Sequence, residues 1–389
     1  MPSNHYFIKL HVTGDGTKTW KMTWQDPAWP KDRHYHVDES ILQDVGKEVR
    51  AALQKVVDDA TSGTILAPAM KDLARAGSKL RDAIFLAKGE GAFRADYIRN
   101  EYLPGRNDWM LLISLDQRVH IPWGLAYDGD PEGLPDNCPN TSITPSLYSG
   151  FWSLKYQVAT LLDIIDPSGI SKPRANNEVQ MLTVVNKPCW DTAEKQIPTS
   201  EKALFASALA RSLPLIGSSV DFFKSWKQLH KDLDLLYIYC HANGSKLALS
   251  GQDEISITKF SLEVNHKPPQ THPVCLVFLN GCQTAIGAEG GGFMEATGSL
   301  GFCGFIGTEA KVPDLFAMRF AGDFFCHVLY EEMTVSETMD KLRRDHWPLG
   351  LVYSTCCHPE FKIKRISPAP FAKPARNLSG EPLIANTLL

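Results

Sequence analysis

Four segments of the chain are apolar almost from end to end: "EVQMLTVVN" (178–186), "DLLYIYC" (234–240), "VCLVFLN" (274–280) and "GFCGFIGT" (301–308). A strand with one face in water alternates apolar and polar residues, so a strand that is apolar throughout must be covered on both faces. Helical periodicity accompanies these runs in "EKALFASALARSL" (201–213), "WKQLHKDL" (226–233), "DLFAMRFAGDFFCHVLYEEM" (314–333) and "VSETMDKLRRDHW" (335–347), and "LGLVYS" (349–354) reads as a last strand. Strands and helices in this order predict a mostly parallel sheet between two helical layers, spanning 151–366. In such sheets the working residues lie just past the carboxyl ends of the strands.

The first 130 residues have a different pattern and predict a smaller α+β region. Residues 5–24 alternate on both sides of Gly14-Asp15-Gly16, which is a hairpin signal. Ile41, Val45, Val49, Leu53 and Val56 recur at steps of three and four, predicting a helix over 39–60 capped by Asp38 or Ser40, and a second helix is predicted over 67–86. "WMLLISLD" (109–116) followed by "VHIPWGLAYDG" (119–129) reads as a short strand pair or a strand leading into a turn, with Pro122 and Gly129 as the bounds. Residues 130–150, rich in Pro, Gly, Asn and Ser, form the linking loop, and 367–389, with four prolines and no period, reads as an extended tail.

A net charge of −4 and a pI near 6.3 give no global attraction to nucleic acid or anionic membranes. The first residues lack the pattern of a secretory signal and no run of eighteen apolar residues occurs, so a cytoplasmic location is expected. Nine cysteines at irregular spacing suit reduced thiols better than a disulfide framework, and Cys356-Cys357-His358 has no partner cluster at zinc-site spacing. No metal is expected. "GAEGGGF" (287–293) lacks the strand–GxGxxG–helix order that cradles phosphates and reads as a mobile loop; the basic "KLRRDHW" (341–347) reads as a solvated helix face, and Phe316, Phe320, Phe324 and Phe325 as core.

Two of the apolar runs stop at a reactive side chain beside glycine: "LLYIYCHANG" ends at His241, and "LVFLNGCQTA" at Cys282. A thiol becomes a nucleophile when an imidazole takes its proton, and backbone N–H groups near glycine can hold the oxyanion that forms. Each residue alone also fits a packed thiol or a hydrogen-bonded structural histidine.

The segments "LLYIYCHANGSKLALSG", "VCLVFLNGCQTA", "GFCGFIGTEAKVPDLFAMRFAGDFF" and "WPLGLVYSTCCHPEFKI", in that order, resemble the CHAT domain, a caspase-like module of the caspase/separase group of cysteine peptidases. "VHIPWGLAYDG" looks like the "PWE" element that precedes the catalytic half, with Gly124 where that element commonly has an acidic residue. The resemblance implies a caspase-like three-layer α/β sandwich and a cysteine endopeptidase with His241 as base, Cys282 as nucleophile and no cofactor. The family usually has Gly directly after the histidine; here Ala242 and Asn243 precede Gly244, so the oxyanion donors are expected from Ala242 or Gly244 together with Cys282. A protein substrate and an activating or sensor protein are the implied partners, by analogy with proteases of bacterial immunity and cell death.

Relatives that cut after basic residues present carboxylates to the substrate. Asp314, after the Val312-Pro313 dipeptide, is favoured for such a contact, with Glu309 beside it and Asp253 and Glu254 as weaker choices; Asp314 equally fits the first turn of a helix. Two other functions stay open: a caspase-like scaffold used for protein binding, and an acyltransferase using the same two residues.

Overall fold

A computed structural model describes residues 7–14, 18–105, 110–115, 121–162, 179–197, 215–230, 233–264, 275–286, 292–300 and 302–363. These divide into two compact units, one of the described residues up to 162 with 343–352, the other of those in 179–342 and 353–363. The predicted helix 201–213, the glycine run 287–291 and the tail lie outside the described residues.

In the first unit, β1 (Phe7–Gly14) and β2 (Thr19–Gln25) form the expected antiparallel hairpin, with Leu10 opposite Trp24 and Val12 opposite Met22. Their inward side chains, including Ile8, Leu10, Val12, Trp20, Met22 and Trp24, are buried. The strand β3 (Arg33–Asp38), which the sequence reading missed, joins the other side of β2 and alternates exposed His34 and His36 with buried Tyr35 and Val37. Parallel pairing adds β4 (Met110–Leu115) to β1 and β5 (Gln157–Leu162) to β4, giving the order β3-β2-β1-β4-β5.

The helix α1 (Glu39–Ser62) starts where Asp38 Oδ1 accepts the Ser40 N–H at 2.9 Å, and it ends at Gly63, whose φ of 73° few other residues adopt. Next come α2 (Ala67–Ile84) and α3 (Glu90–Tyr97), with the one-turn α4 (Trp152–Lys155) before β5. Of the two readings for 109–129, the strand followed by a turn holds: after β4, Trp123–Leu125 is a helical turn in which Leu125 N–H reaches Pro122 O at 2.9 Å. Proline supplies no ladder donor, which disfavours a strand there.

The second unit has the predicted parallel sheet. Its strands β6 (Met181–Val185), β7 (Leu235–Tyr239), β8 (His241–Ala242), β9 (Lys246–Ser250), β10 (Asp253–Ser256), β11 (Leu276–Asn280), β12 (Gly304–Thr308) and β13 (Tyr353–Cys357) form two sheets. Strands β6, β7, β11 and β12 pair in parallel and are buried along their whole length. The last strand begins later than predicted: residues 349–352 make a helical turn, and β13 then runs antiparallel to β12. A small antiparallel sheet, β8-β9-β10, stands apart from this ladder.

Helices α5 (Lys187–Gln196), α6 (Ser219–Leu229), α7 (Ile257–Val264), α8 (Phe293–Ser299) and α9 (Asp314–Phe325) connect these strands, and α10 (Val335–Asp345) precedes β13. The helix predicted at 226–233 starts earlier, at Ser219, because Ser218 Oγ caps it by accepting the Asp221 N–H at 3.1 Å. Past Phe325, α9 widens into a single π-type turn over Cys326–Tyr330 instead of running to 333. Phe316, Phe320, Phe324 and Phe325 are buried as expected, with Phe320 stacked on Tyr353 at 3.7 Å between ring centres.

Candidate active site

The parallel register of β7 and β11 sets Tyr239 beside Asn280. One further rung follows, Cys240 N–H to Asn280 O at 3.4 Å, so the next residues on the two chains are His241 and then Gly281-Cys282. This close approach depends on Gly281, where an added Cβ would sit 2.6 Å from Cys240 O and 3.0 Å from Ala242 Cβ. Gly281→Ala is expected to force the two strand ends apart, destabilising the fold by about 1–3 kcal/mol and slowing alkylation of Cys282. Urea unfolding and iodoacetamide labelling would measure the two effects.

His241 is not in a loop, as the sequence suggested, but in the two-residue strand β8, opposite Ala248 of β9. The turn between β8 and β9 is held by Asn243, whose Oδ1 accepts the N–H groups of Ser245 at 3.2 Å and Lys246 at 3.0 Å. Gly244 has φ +78°, and its missing side chain would point toward Gln283 O at 3.4 Å and Ile286 O at 3.7 Å. The turn after His241 therefore sits over the turn after Cys282.

That second turn is fixed to the end of β12. Thr308 Oγ1 donates to Gly281 O, Thr284 Oγ1 donates to Leu279 O at 2.9 Å, and Ala285 N–H reaches Thr308 O at 2.9 Å. Gln283 has φ +59°, a left-handed conformation that costs a non-glycine residue about 1 kcal/mol or more. Its N–H is committed to Ala310 O at 3.2 Å. By contrast, the N–H groups of Cys282 and Gly244 make no hydrogen bond among the described residues, and Ala242 pairs with Leu247 next to the bonded Asn243–Lys246 pair, where its N–H points away from β9.

Cys282 is partly exposed, and its Sγ lies 3.9 Å from Val312 O. Burial raises its pKa, the Val312 contact lowers it, and the charge of Asp314 raises it further against a smaller pull from Lys311. The thiol is thus protonated at neutral pH and needs a base. His241 makes no hydrogen bond to it; His241 Nε2 is instead 2.9 Å from the Sγ of Cys189.

Cys189 went unassigned in the sequence beyond its membership of the thiol set. It follows β6 in the first turn of α5, where Asn186 is the N-cap and its Oδ1 accepts the Cys189 N–H at 3.2 Å. Asn186 also donates its N–H to Tyr239 O at 2.7 Å and Nδ2 to Ala248 O at 3.0 Å, tying the ends of β6 and β7 to β9 opposite His241. A third apolar run ending in a capping residue with a cysteine three positions on, "VVNKPC", was the available signal.

Asp314 is the first residue of α9, after Pro313 as N-cap; it makes no side-chain capping bond, but it sits in the first turn as the alternative reading expected, where a carboxylate suits the helix dipole. It is exposed as a residue, yet protein packed around the carboxyl raises its pKa, and the charge of His241 draws it back down. Glu309 is only 4% exposed and is not available as a surface contact. Asp253 accepts from the backbone and hydroxyl of Ser219, and Glu254 pairs with Lys246 at 2.7 Å, so both have structural partners.

None of the nine cysteines is in a disulfide, and among the described residues no group of three or more His, Cys, Asp or Glu side chains is arranged to hold a metal ion. No described helix is long and apolar enough to cross a membrane. A depression of about 280 Å³ in the first unit, against His34, His36, Lys88 and Arg94, contains none of these site residues.

No protein-family model matches the sequence, and no curated protein matches it. Among solved structures, the Saccharomyces cerevisiae separase–securin complex at 2.6 Å resolution contains a similar chain, separase, with TM-score 0.52 and 10% identity over 92% of this chain. A 3.0 Å structure of the same complex aligns with TM-score 0.49 and 11% identity over 93% of this chain. In both, the aligned part is 30% of the other chain, so this protein spans less than a third of that length. At such identity the likeness is one of fold: the chain is a mixed α/β protein with a caspase-like architecture similar to that of separase.

Proposed function

We propose that the protein is a cysteine endopeptidase of the CHAT type, acting on a protein substrate under the control of a protein partner. The observation that carries this reading is the register that brings His241 and Cys282 to adjacent strand ends of a caspase-like sheet. In the reaction, His241 takes the Cys282 proton and the sulfur attacks the scissile carbonyl carbon. The N–H groups of Cys282 and Gly244 hold the oxyanion, His241 returns the proton to the leaving amine, and water hydrolyses the thioester. Fluorogenic peptide-library profiling of the parent protein and of Cys282→Ala tests this directly. Hydrolysis that survives the substitution would end the proposal.

Asp314 is the specificity residue in this reading, contacting a basic P1 side chain. Asp314→Ala should lower kcat/KM for Arg or Lys at P1 by about 10–100-fold, the worth of one charge-assisted contact. An unchanged P1 preference would remove the assignment. Gating by a protein partner draws on the separase neighbour, whose structure is that of a complex with securin.

A second reading, a caspase-like scaffold for protein assembly, is favoured by one observation: His241 Nε2 faces Cys189 instead of Cys282. An active-site acyloxymethyl-ketone probe separates the two, since a scaffold would not be labelled at Cys282.

A further inference from the structure

We infer that Cys189 is a positioning residue that holds His241 in reserve: its thiol donates to Nε2 and so occupies the one nitrogen with which a neutral imidazole could accept the proton of Cys282. The inference rests on the reading of His241 and Cys282 as base and nucleophile.

The geometry is the 2.9 Å separation between Cys189 Sγ and His241 Nε2, with no hydrogen bond from His241 to Cys282. Cys189 is only 8% exposed, and burial, followed by the charges of Asp314 and Cys282, pushes its thiol up to about 11, so it carries a proton at neutral pH and has one to donate; in this inference the thiol is the donor, and the tautomer of His241 tests that direction. Nε2 is then the acceptor, and in the neutral ring the hydrogen sits on Nδ1. A ring in that state has no lone pair left for a second thiol. The restraint is built from non-local parts: Asn186 caps α5 at Cys189 and bonds Tyr239 and Ala248, so Cys189 and the β8–β9 hairpin are fixed by the same side chain. A substrate or partner that shifts α5 or the hairpin would release the imidazole toward Cys282.

Five other groups stand in the electrostatic setting of this centre: Cys282, Asp314 at the start of α9, Lys311 before it, and Tyr239 and the thiol of Cys240, both of which burial holds protonated. Of these, Asp314 disfavours either thiolate.

The test is the rate of iodoacetamide alkylation at Cys282, read on its own peptide by mass spectrometry as a function of pH in the full-length protein. Cys189→Ala should raise that rate at pH 7 about five- to tenfold, the worth of one net hydrogen bond, and move the pH–rate profile to lower pH. Cys189→Ser, which keeps a donor at the same place, should restore the slow rate. In a His241→Ala background, Cys189→Ala should change nothing. A parent-like profile for Cys189→Ala would overturn the inference. So would an equal gain without His241, which would mean that the smaller side chain merely opens access. If Cys189→Ala does not fold, ¹⁵N NMR of the histidines in the parent protein decides the matter: His241 should show a hydrogen on Nδ1 and a bare Nε2, and the opposite tautomer overturns the latch. Because alkylation needs no substrate, the expected labelling pattern without any peptide cleavage would remove the peptidase reading and leave this one standing.

Discussion

Cys282→Ala is expected to lower peptide hydrolysis by about 10⁴-fold or more while leaving the folded state nearly unchanged. In the proposed reaction the size follows from losing the covalent nucleophile outright: oxyanion donors and substrate binding alone leave only a small residual rate. Stability should change by less than about 1 kcal/mol, because the side chain is partly exposed and its single polar contact, to Val312 O, is long at 3.9 Å. The matched substitution Cys189→Ala makes the experiment decisive. Cys189 is the thiol that touches His241, at 2.9 Å, so it is the alternative nucleophile. Activity that disappears with Cys189 and survives loss of Cys282 would reverse the two roles. His241→Ala should reduce hydrolysis comparably at neutral pH. The pKa of Cys282 is raised, so in that variant its alkylation should recover only as pH climbs through that raised value; reactivity already full at neutral pH would contradict the need for a base.

Asn280→Ala should have the largest effect on stability, about 3–4 kcal/mol, seen as a fall of roughly 6–16 °C in the Tm of the unit that contains it. Asn280 ends β11 immediately before Gly281-Cys282 and is 1% exposed. Its Nδ2 donates to Tyr237 Oη at 3.0 Å and to Ala317 O at 2.8 Å, and its Oδ1 accepts from Tyr353 Oη at 2.7 Å. These bonds join β7, β11, α9 and β13. Truncation strips partners from several buried polar groups at once and leaves a cavity in their place. Cys282 labelling should slow as well, because the turn that carries it begins at this residue. A variant that melts within 2 °C of the parent, measured by differential scanning calorimetry, would contradict this account of the strand end (a threshold of about 1 kcal/mol or less).

Several features were legible because they are local. Apolar runs mark β6, β7, β11 and β12, since burial on both faces is written into each run. Asp38 announced α1, and the hairpin at 7–25 followed from alternation. Misses had physical reasons too. The strand β3 carries His34 and His36 on its outer face and resembles a loop in composition. "LGLVYS" looked like a strand, but residues 349–352 turn helically and the ladder starts only at Tyr353.

At the site, the sequence by itself determined that His241 and Cys282 follow buried strands, because a run of apolar residues ends where the sheet ends. Tertiary structure alone decided which thiol the imidazole meets. That choice depends on Asn186 bonding three separate segments, on Gly281 letting Cys240 approach, and on the hairpin that turns His241 out of the main ladder into β8. The cap from Asn186 to Cys189 is local, but the bonds from Asn186 to Tyr239 and Ala248 and the approach of Gly281 to Cys240 join residues far apart in sequence. The pattern of residues singles out His241 and Cys282, and only packing shows a third residue, Cys189, with its Sγ 2.9 Å from the imidazole.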